Sequence, residues 1–409
     1  MMMQNYLDEI KDKLYGESVV GKIWGVALPA LKQKEPPTEF PDLTKEDRYI
    51  TRDVEFWTSG FFAGNLYTLL ERSEKYPKYY PSDKLNPLKL EFASKWWSEP
   101  LVAKKTKTDN HDLGFMIEPT FKKELDRSGS EKAKDVIITA ARSLATRYDA
   151  KVGCIRSWDD FHGIIPCSYE KDLIVIIDNM CNLNLLYMGA ILSGDLSLST
   201  IATTHAETTL KNHFREDMSS YHALVYDRET GKVKEKLTVQ GYADESSWAR
   251  GQAWAILGYS ETYYYTKDEK FLDAAKTISK YYMSQLTEDG VPPWDFHAPD
   301  KEIKDVASAM AAGLGMLKIY EYTKEKWFLN STLKLVFDCT KIAYNDEAKW
   351  SDDGSVDIGK TDTILNKSTF FNKPSAPAEF RAANHGYVYA DYYFLMIGNK
   401  LLELGLYDK

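Results

Sequence analysis

The residues best suited to chemistry in this chain are carboxylates at the entrance to apolar, helix-forming runs. Asp178-Asn179 follows the apolar stretch 173–177 and precedes Met180-Cys181-Asn182-Leu183. His111-Asp112 stands before Leu113-Gly114-Phe115. Asp244, Glu245, Arg250 and Gln252 surround Trp248 and Trp254, and Asp305 opens an Ala- and Gly-rich run. Each has an ordinary alternative, because Asp and Asn are favoured helix N-caps and Asp is favoured in a first turn. Asp178 fits that alternative least well. Apolar sequence on both sides implies deep placement, which raises a carboxyl pKa and suits a general acid. Two carboxylates at one rim would serve acid/base work on sugars.

Positioning such groups falls to helices, since strand signals are scarce and apolar residues recur at three- and four-residue spacing. Residues 251–265 place Trp254, Leu257, Gly258, Glu261 and Tyr265 along one side, break at Thr266-Lys267-Asp268, and are followed by 270–283 with Phe271, Ala274, Ala275, Ile278 and Tyr282. Residues 306–322, the break Thr323-Lys324-Glu325 and residues 327–343 repeat the plan. Comparable apolar helices start at Gly60, Gly114, Asp178 and Tyr387. With those near Trp248 and Val306 they make six starts, roughly 55 to 80 residues apart, within reach of helical-repeat periods. The first helix of each pair is rich in Gly, Ala and aromatics, as a buried helix should be; the second carries more Lys and Glu. The alternation predicts an all-α fold, a closed (α/α)6 barrel of six helical hairpins. One domain would span residues 1–409, with residues 1–45 an N-terminal helix and loop packing on the barrel. An open solenoid is the alternative. Three connections, 212–245, 287–305 and 345–386, are too long for hairpin turns, and long loops in compact domains usually carry function. They hold His213, His222, His297 and His385, four of the seven histidines.

Composition narrows the class. A chain of 409 residues could hold two or three average domains or one large repetitive one. With 44% hydrophobic and 28% charged residues it is globular rather than disordered. A formal net charge of −9 argues against nucleic acid held by bulk charge, so an anionic ligand would need local Arg, Lys and His. No apolar run approaches the roughly 18 to 20 residues of a membrane helix. Residues 1–16, with Asp8, Glu9, Lys11 and Lys13, do not read as a signal peptide, and the expected location is cytoplasmic. Cys154, Cys167, Cys181 and Cys339 share no CxxC spacing, so neither a zinc site nor a disulfide framework is expected. Aromatic residues make 13% of the chain; core packing accounts for most of them, but such faces also stack on sugar rings.

A set of ordered strings then carries a resemblance. Trp57-Thr58-Ser59-Gly60-Phe61-Phe62, His111-Asp112-Leu113-Gly114-Phe115, Ile177-Asp178-Asn179-Met180-Cys181-Asn182-Leu183, Gln240-Gly241-Tyr242, Trp248-Ala249-Arg250-Gly251-Gln252-Ala253-Trp254 and Val291-Pro292-Pro293-Trp294-Asp295-Phe296 run in order along the chain. Together they resemble the unsaturated glucuronyl hydrolases, glycoside hydrolase family 88, over residues 53–393. The resemblance implies an α/α six-hairpin barrel. It also implies hydration of the C4=C5 vinyl ether that polysaccharide lyases leave on a non-reducing uronic acid, releasing an open-chain keto acid. The implied partners are unsaturated uronic-acid oligosaccharides, with no metal or organic cofactor, no nucleic acid and no membrane.

Carried over residue by residue, the resemblance makes Asp178 the general acid/base and Asp112 the second carboxylate. Trp57 and Trp254 would wall the unsaturated ring, Arg250 and Gln240 would contact the uronate, His111 and His222 would line the pocket, and Trp158 would face the next sugar. Core packing is the alternative for the tryptophans. The chain departs from the family where Tyr389-Ala390-Asp391 stands in place of Trp-Gly-Asp, and residues 360–381 align with nothing. Lys360, Lys367, Lys373 and Arg381 in that loop could hold a sulfate or simply be solvated. Three other readings stay open: the family 105 unsaturated rhamnogalacturonyl hydrolases, a conventional two-carboxylate glycosidase, and a non-catalytic carbohydrate-binding α/α protein.

Overall fold

Helices whose first turns are buried on every side must line a common interior, and among the described residues six do. The computed structural model describes residues 2–159, 165, 167–345 and 347–407. The chain opens with α1 (Met2–Tyr15) and α2 (Glu17–Leu31), then the hairpin β1 (Glu39–Lys45) and β2 (Arg48–Asp53). Helical pairs follow: α3 (Ser59–Lys75) with α4 (Pro87–Ser98), α5 (Leu113–Ser128) with α6 (Glu131–Ala145), and, after the short strands β3 (Tyr148–Asp149) and β4 (Cys154–Ile155) and the strand β5 (Asp172–Ile176), α7 (Asn179–Ser193) with α8 (Leu196–Asn212). Strands β6 (Ala223–Asp227) and β7 (Val233–Leu237) lead to α9 (Ala249–Thr266) with α10 (Glu269–Ser284), then α11 (Val306–Thr323) with α12 (Lys326–Ala343). The pair β8 (Lys349–Trp350) and β9 (Val356–Asp357) precedes α13 (Val388–Glu403).

Helices α3, α5, α7, α9, α11 and α13 each pack on the next, and α13 packs back on α3. That last contact closes the ring, so the fold is the α/α barrel and not the open solenoid. Helices α4, α6, α8, α10 and α12 lie outside it. The sixth outer place is taken by α1, which packs on α12 and α13. Hydrogen bonds tie the two ends of the chain: the Tyr15 hydroxyl donates to Gly398 O at 2.8 Å and the Tyr407 hydroxyl to Leu7 O at 2.7 Å. Buried Arg72 of α3 joins both, donating to Leu14 O at 2.7 Å and to Asn399 Oδ1 at 2.9 Å.

Outer helices show the stripe expected of a two-sided environment. In α6 the buried residues Ala133, Val136, Ile137, Ala140, Ala141 and Leu144 recur at helical spacing. Inner helices instead meet through glycine. A Cβ on Gly60 would stand 2.4 Å from the carbonyl oxygens of Phe115 and Met116, and one on Gly114 would stand 2.5 Å from Asn182 Oδ1. Helices α3, α5 and α7 therefore pack closer than any side chain at those positions allows.

The long connections lie at the amino ends of the inner helices. β5, buried along its whole length, pairs antiparallel with β6, and β6 with β7, the register setting Ile176 opposite Ala223. Residues 358–365 of the last connection are tied down by buried groups: Lys22 Nζ donates to Ile358 O at 2.6 Å and Thr361 O at 2.5 Å, and Asp391 accepts from the backbone N–H groups of Ile364 and Leu365 at 2.9 and 3.0 Å. Asp391 is thus occupied in holding that segment.

Candidate active site

Asp112 and Asp178 occupy the N-cap positions of α5 and α7, yet neither side chain caps its helix. At α5 the capping is done from outside: Asn182 Oδ1, on the neighbouring α7, accepts the Phe115 N–H at 2.9 Å. Asp195, Asp268 and Asp305, by contrast, accept backbone N–H groups of α8, α10 and α11 in the ordinary way. The capping alternative therefore holds for Asp305 and fails for the other two, whose carboxylates are left for other work. Each is nearly enclosed, with side-chain exposure of 15% for Asp112 and 13% for Asp178, and Asp178 Oδ2 is buried without a hydrogen-bond partner.

The β5–β6 pairing brings His222 to Asp178. Ile177 N–H donates to His222 O at 2.9 Å just past the last ladder pair, and His222 Nε2 lies 3.6 Å from Asp178 Oδ2. On the far side of the ring, the Gln240 backbone N–H donates to His222 Nδ1 at 3.4 Å. An accepting Nδ1 carries no proton, so the neutral ring has its N–H on Nε2, aimed at Asp178. Burial pushes the His222 pKa down to about 3, which keeps the ring neutral. His111 is also fully buried with its pKa pushed well down by desolvation, and its Nε2 lies 3.3 Å from Asp112 Oδ1.

The other inner helices bring their amino ends to the same place. Arg250, at the start of α9 and 1% exposed, donates from Nη1 to the Tyr389 hydroxyl at 2.5 Å and from Nη2 to Thr369 O at 2.7 Å, while Asp305 Oδ1 stands 3.5 Å from Nη1. Its guanidinium lies over the rings of Trp248, Tyr389, Phe370 and Tyr387 at 5.0 to 5.8 Å. Trp57, in the turn before α3, packs against Tyr389 at 5.1 Å and Phe115 at 5.6 Å, and stacks on Phe370 at 6.3 Å. That turn is pinned by buried Asp42 of β1, which accepts from the Thr58 hydroxyl at 3.2 Å. Trp254 is 1% exposed between Phe115 and Tyr393, with its indole beside Asp178. Trp158 meets His222 edge to face at 5.7 Å and shares with Asp112, Lys107, Asn110 and Asp159 a cleft of about 260 Å³.

The electrostatics follow from burial. Desolvation pushes Asp112 up to about 7 despite Arg147 nearby. Asp178 rises further, to about 8, because desolvation is joined by the negative charge of Asp112 and only partly opposed by Arg250 and the Trp254 indole. Asp178 thus holds its proton at neutral pH. Inner-helix amino ends facing one space add positive potential there, which favours an anionic ligand.

All nine residues singled out from sequence, Trp57, His111, Asp112, Trp158, Asp178, His222, Gln240, Arg250 and Trp254, lie in this assembly. Of the other candidates, Asp244 pairs with Lys373 at 2.6 Å, and Gln252 accepts from Ser220 N–H at 2.9 Å and donates to Met218 O at 2.7 Å. Arg381 is exposed and donates to the carbonyls of Pro374 and Ala376. Phe115, Thr369, Phe370 and Tyr389 were not selected as site residues. Tyr389 had a signal, as the departure from Trp-Gly-Asp; Thr369 and Phe370 had none, because their loop aligns with nothing. Among the described residues no cluster of three or more His, Cys, Asp and Glu side chains could hold a metal ion, and no helix is long and apolar enough to cross a membrane.

Comparison with known proteins gives a consistent set. The unsaturated glucuronyl hydrolase of Formosa agariphila is 36% identical over 347 residues, covering 83% of this chain and 78% of that protein. The unsaturated chondroitin disaccharide hydrolase of Streptococcus pneumoniae is 31% identical over 290 residues, 70% of this chain and 69% of its own. A solved unsaturated glucuronyl hydrolase specific for heparin superposes with a TM-score of 0.82 at 28% identity, over 98% of this chain and 99% of that one. The solved enzyme of Bacillus sp. GL1 shares the fold, with a TM-score of 0.78 at 24% identity over 95% and 97% of the two chains. No family model matches the chain.

Proposed function

This chain belongs to the unsaturated glucuronyl hydrolases, and on that premise we propose that it removes the terminal unsaturated uronic acid from short oligosaccharides by hydrating the C4=C5 double bond, with Asp178 as general acid and base. The observation that carries the reading is the setting of Asp178: a buried carboxyl that caps nothing, has one oxygen without a partner, and stands where burial and the nearby charge of Asp112 raise its proton affinity.

Protonating carbon is slow, so a positioned acid that is still protonated at working pH has most to contribute there, typically 10² to 10⁴-fold. Asp178 gives its proton to C4, and the ring oxygen shares the positive charge that develops at C5. The carboxylate formed then takes a proton from a water molecule as its oxygen bonds to C5, which regenerates the acid. The C5 hemiketal opens to a ketone, and the C1 hemiacetal this creates expels the remaining sugar. One water is consumed overall.

Asp112, itself ionised only as pH rises through about 7, then sustains the proton affinity of Asp178 by its negative charge and accepts from ring hydroxyls. Arg250 and Gln240 receive the uronate carboxylate, Trp57 and Trp254 bound the ring, and His111 and His222 present neutral N–H groups beside the two carboxylates. Trp158, in the open cleft, takes the second sugar. The relatives are named for chondroitin and heparin, so glycosaminoglycan disaccharides are the substrates of first choice.

The conjugated double bond absorbs in the ultraviolet, which gives a direct assay. Native protein should bleach an unsaturated uronyl disaccharide and Asp178→Asn should not. No bleaching by native protein, or equal bleaching by the variant, would end the proposal.

A further inference from the structure

Arg250 has more partners than its charge needs, and two of them compete. Nη1 donates to the Tyr389 hydroxyl at 2.5 Å, while Asp305 Oδ1, a fully buried carboxylate oxygen, waits at 3.5 Å from the same nitrogen. A guanidinium and a carboxylate free to approach would close to about 2.8 Å and pair through two hydrogen bonds. Here the pair stays stretched, joined by a single long hydrogen bond from Nη1 to Asp305 Oδ1 at 3.5 Å. Asp305 is held by the Ser308 N–H at the start of α11, and Arg250 is held by the phenol of α13 and by Thr369 O.

We propose that Tyr389 is a positioning residue that keeps the Arg250 guanidinium from collapsing onto Asp305, so that its charge remains available to an anionic group of the substrate. The inference rests on the reading of Arg250 as the uronate-binding residue. A phenol suits the task in three ways. It is a neutral acceptor, so it orients the cation without neutralising it. Its ring stands 5.4 Å from the guanidinium and 5.1 Å from Trp57, so packing fixes the hydroxyl from both sides. A phenol oxygen that accepts from a cation also becomes a stronger donor through its own hydrogen, toward a carboxylate placed beside Arg250. Phe offers no acceptor at this position, and the indole of Trp is a donor only.

Without that acceptor Nη1 swings to Asp305, the ion pair closes, and the substrate must reopen it. Ground-state binding then suffers more than the chemical step, because Asp178 is untouched. In Tyr389→Phe the KM for an unsaturated uronyl disaccharide should rise roughly tenfold, the scale of a lost hydrogen bond to a charged group, with kcat falling much less. The decisive measurement is the double variant. Adding Asp305→Asn removes the competing charge, so KM in Tyr389→Phe/Asp305→Asn should return to that of Asp305→Asn alone. Tyr389→Trp should behave as Tyr389→Phe, and serves in its place if the smaller ring leaves the barrel unstable. An unchanged KM in the single variants, or simple multiplication of the two single effects in the double, would overturn the assignment.

Failure of the functional reading shows elsewhere, as native protein that bleaches nothing. Glucuronate titrated calorimetrically into native and Tyr389→Phe protein would then decide the matter alone: weaker binding by the variant supports the role, and equal binding, or none by either, refutes it.

Discussion

Nε2 of His222 faces Oδ2 of Asp178 across 3.6 Å, while Nδ1 of the same ring accepts the Gln240 backbone N–H. One backbone amide therefore decides which nitrogen carries the proton, and that nitrogen points at the candidate acid. A donor beside a carboxylate favours its charged form, so in the proposed mechanism His222 would ease the moment when Asp178 has given up its proton.

His222→Phe should lower kcat by roughly tenfold to a hundredfold, the scale of a missing fixed donor, and move the alkaline limb of the pH–rate profile upward, since the carboxylate loses a stabilising N–H. His222→Gln, which keeps an N–H, should recover part of the rate. With its pKa pushed to about 3, His222 itself should contribute no limb near neutrality, and a limb that vanishes in both variants would contradict this.

Asp112→Asn tests the like-charge effect. The negative charge of Asp112 helps hold Asp178 at about 8; removing it should lower the alkaline limb of the residual activity by about a unit. A limb that stays in place would mean that burial alone sets the acid.

Stability should show the cost of the acid. The Asp178 pKa is raised from 3.8 to about 8 on folding, so the folded state binds the extra proton. Its contribution is fully present at pH below the unfolded value and is lost as pH rises through the folded one. Asp178→Asn should therefore match native protein near pH 4 and exceed it at about pH 9, by on the order of a few kcal/mol as an upper bound, measured by urea unfolding at both pH values.

Gly114→Ala tests the close approach of α5 and α7. A methyl group 2.5 Å from Asn182 Oδ1 must push the helices apart, costing about 1 to 3 kcal/mol and disturbing the external cap that leaves Asp112 free. Both the unfolding midpoint and kcat should fall. A loss of stability with full activity would separate the packing from the site.

Much of this was legible in the chain. The starts of the inner helices follow from apolar runs preceded by polar clusters, because a helix buried on all sides must be apolar all round, and its amino end must be marked by polar groups. Ring closure was expected from six alternating pairs, but local pattern could not exclude an open solenoid, because closure lies in the contact of α13 with α3, separated by most of the sequence. The apolar run 173–177 is equally a buried strand or a helix segment by pattern, and only its pairing with β6 makes it the strand that carries Asp178 to His222.

The sequence by itself determined which residue types stand at the inner rim, since local pattern fixes where a helix begins and what stands before it. It could not tell a capping carboxylate from a free one. That distinction was made by tertiary structure: Asn182 from the next helix takes over the capping of α5, burial raises the proton affinity of Asp112 and Asp178, and Tyr389, from the far end of the chain, meets Arg250. Each depends on which helices become neighbours, and a hydrogen bond across a barrel leaves no mark in the spacing of either strand of sequence that makes it.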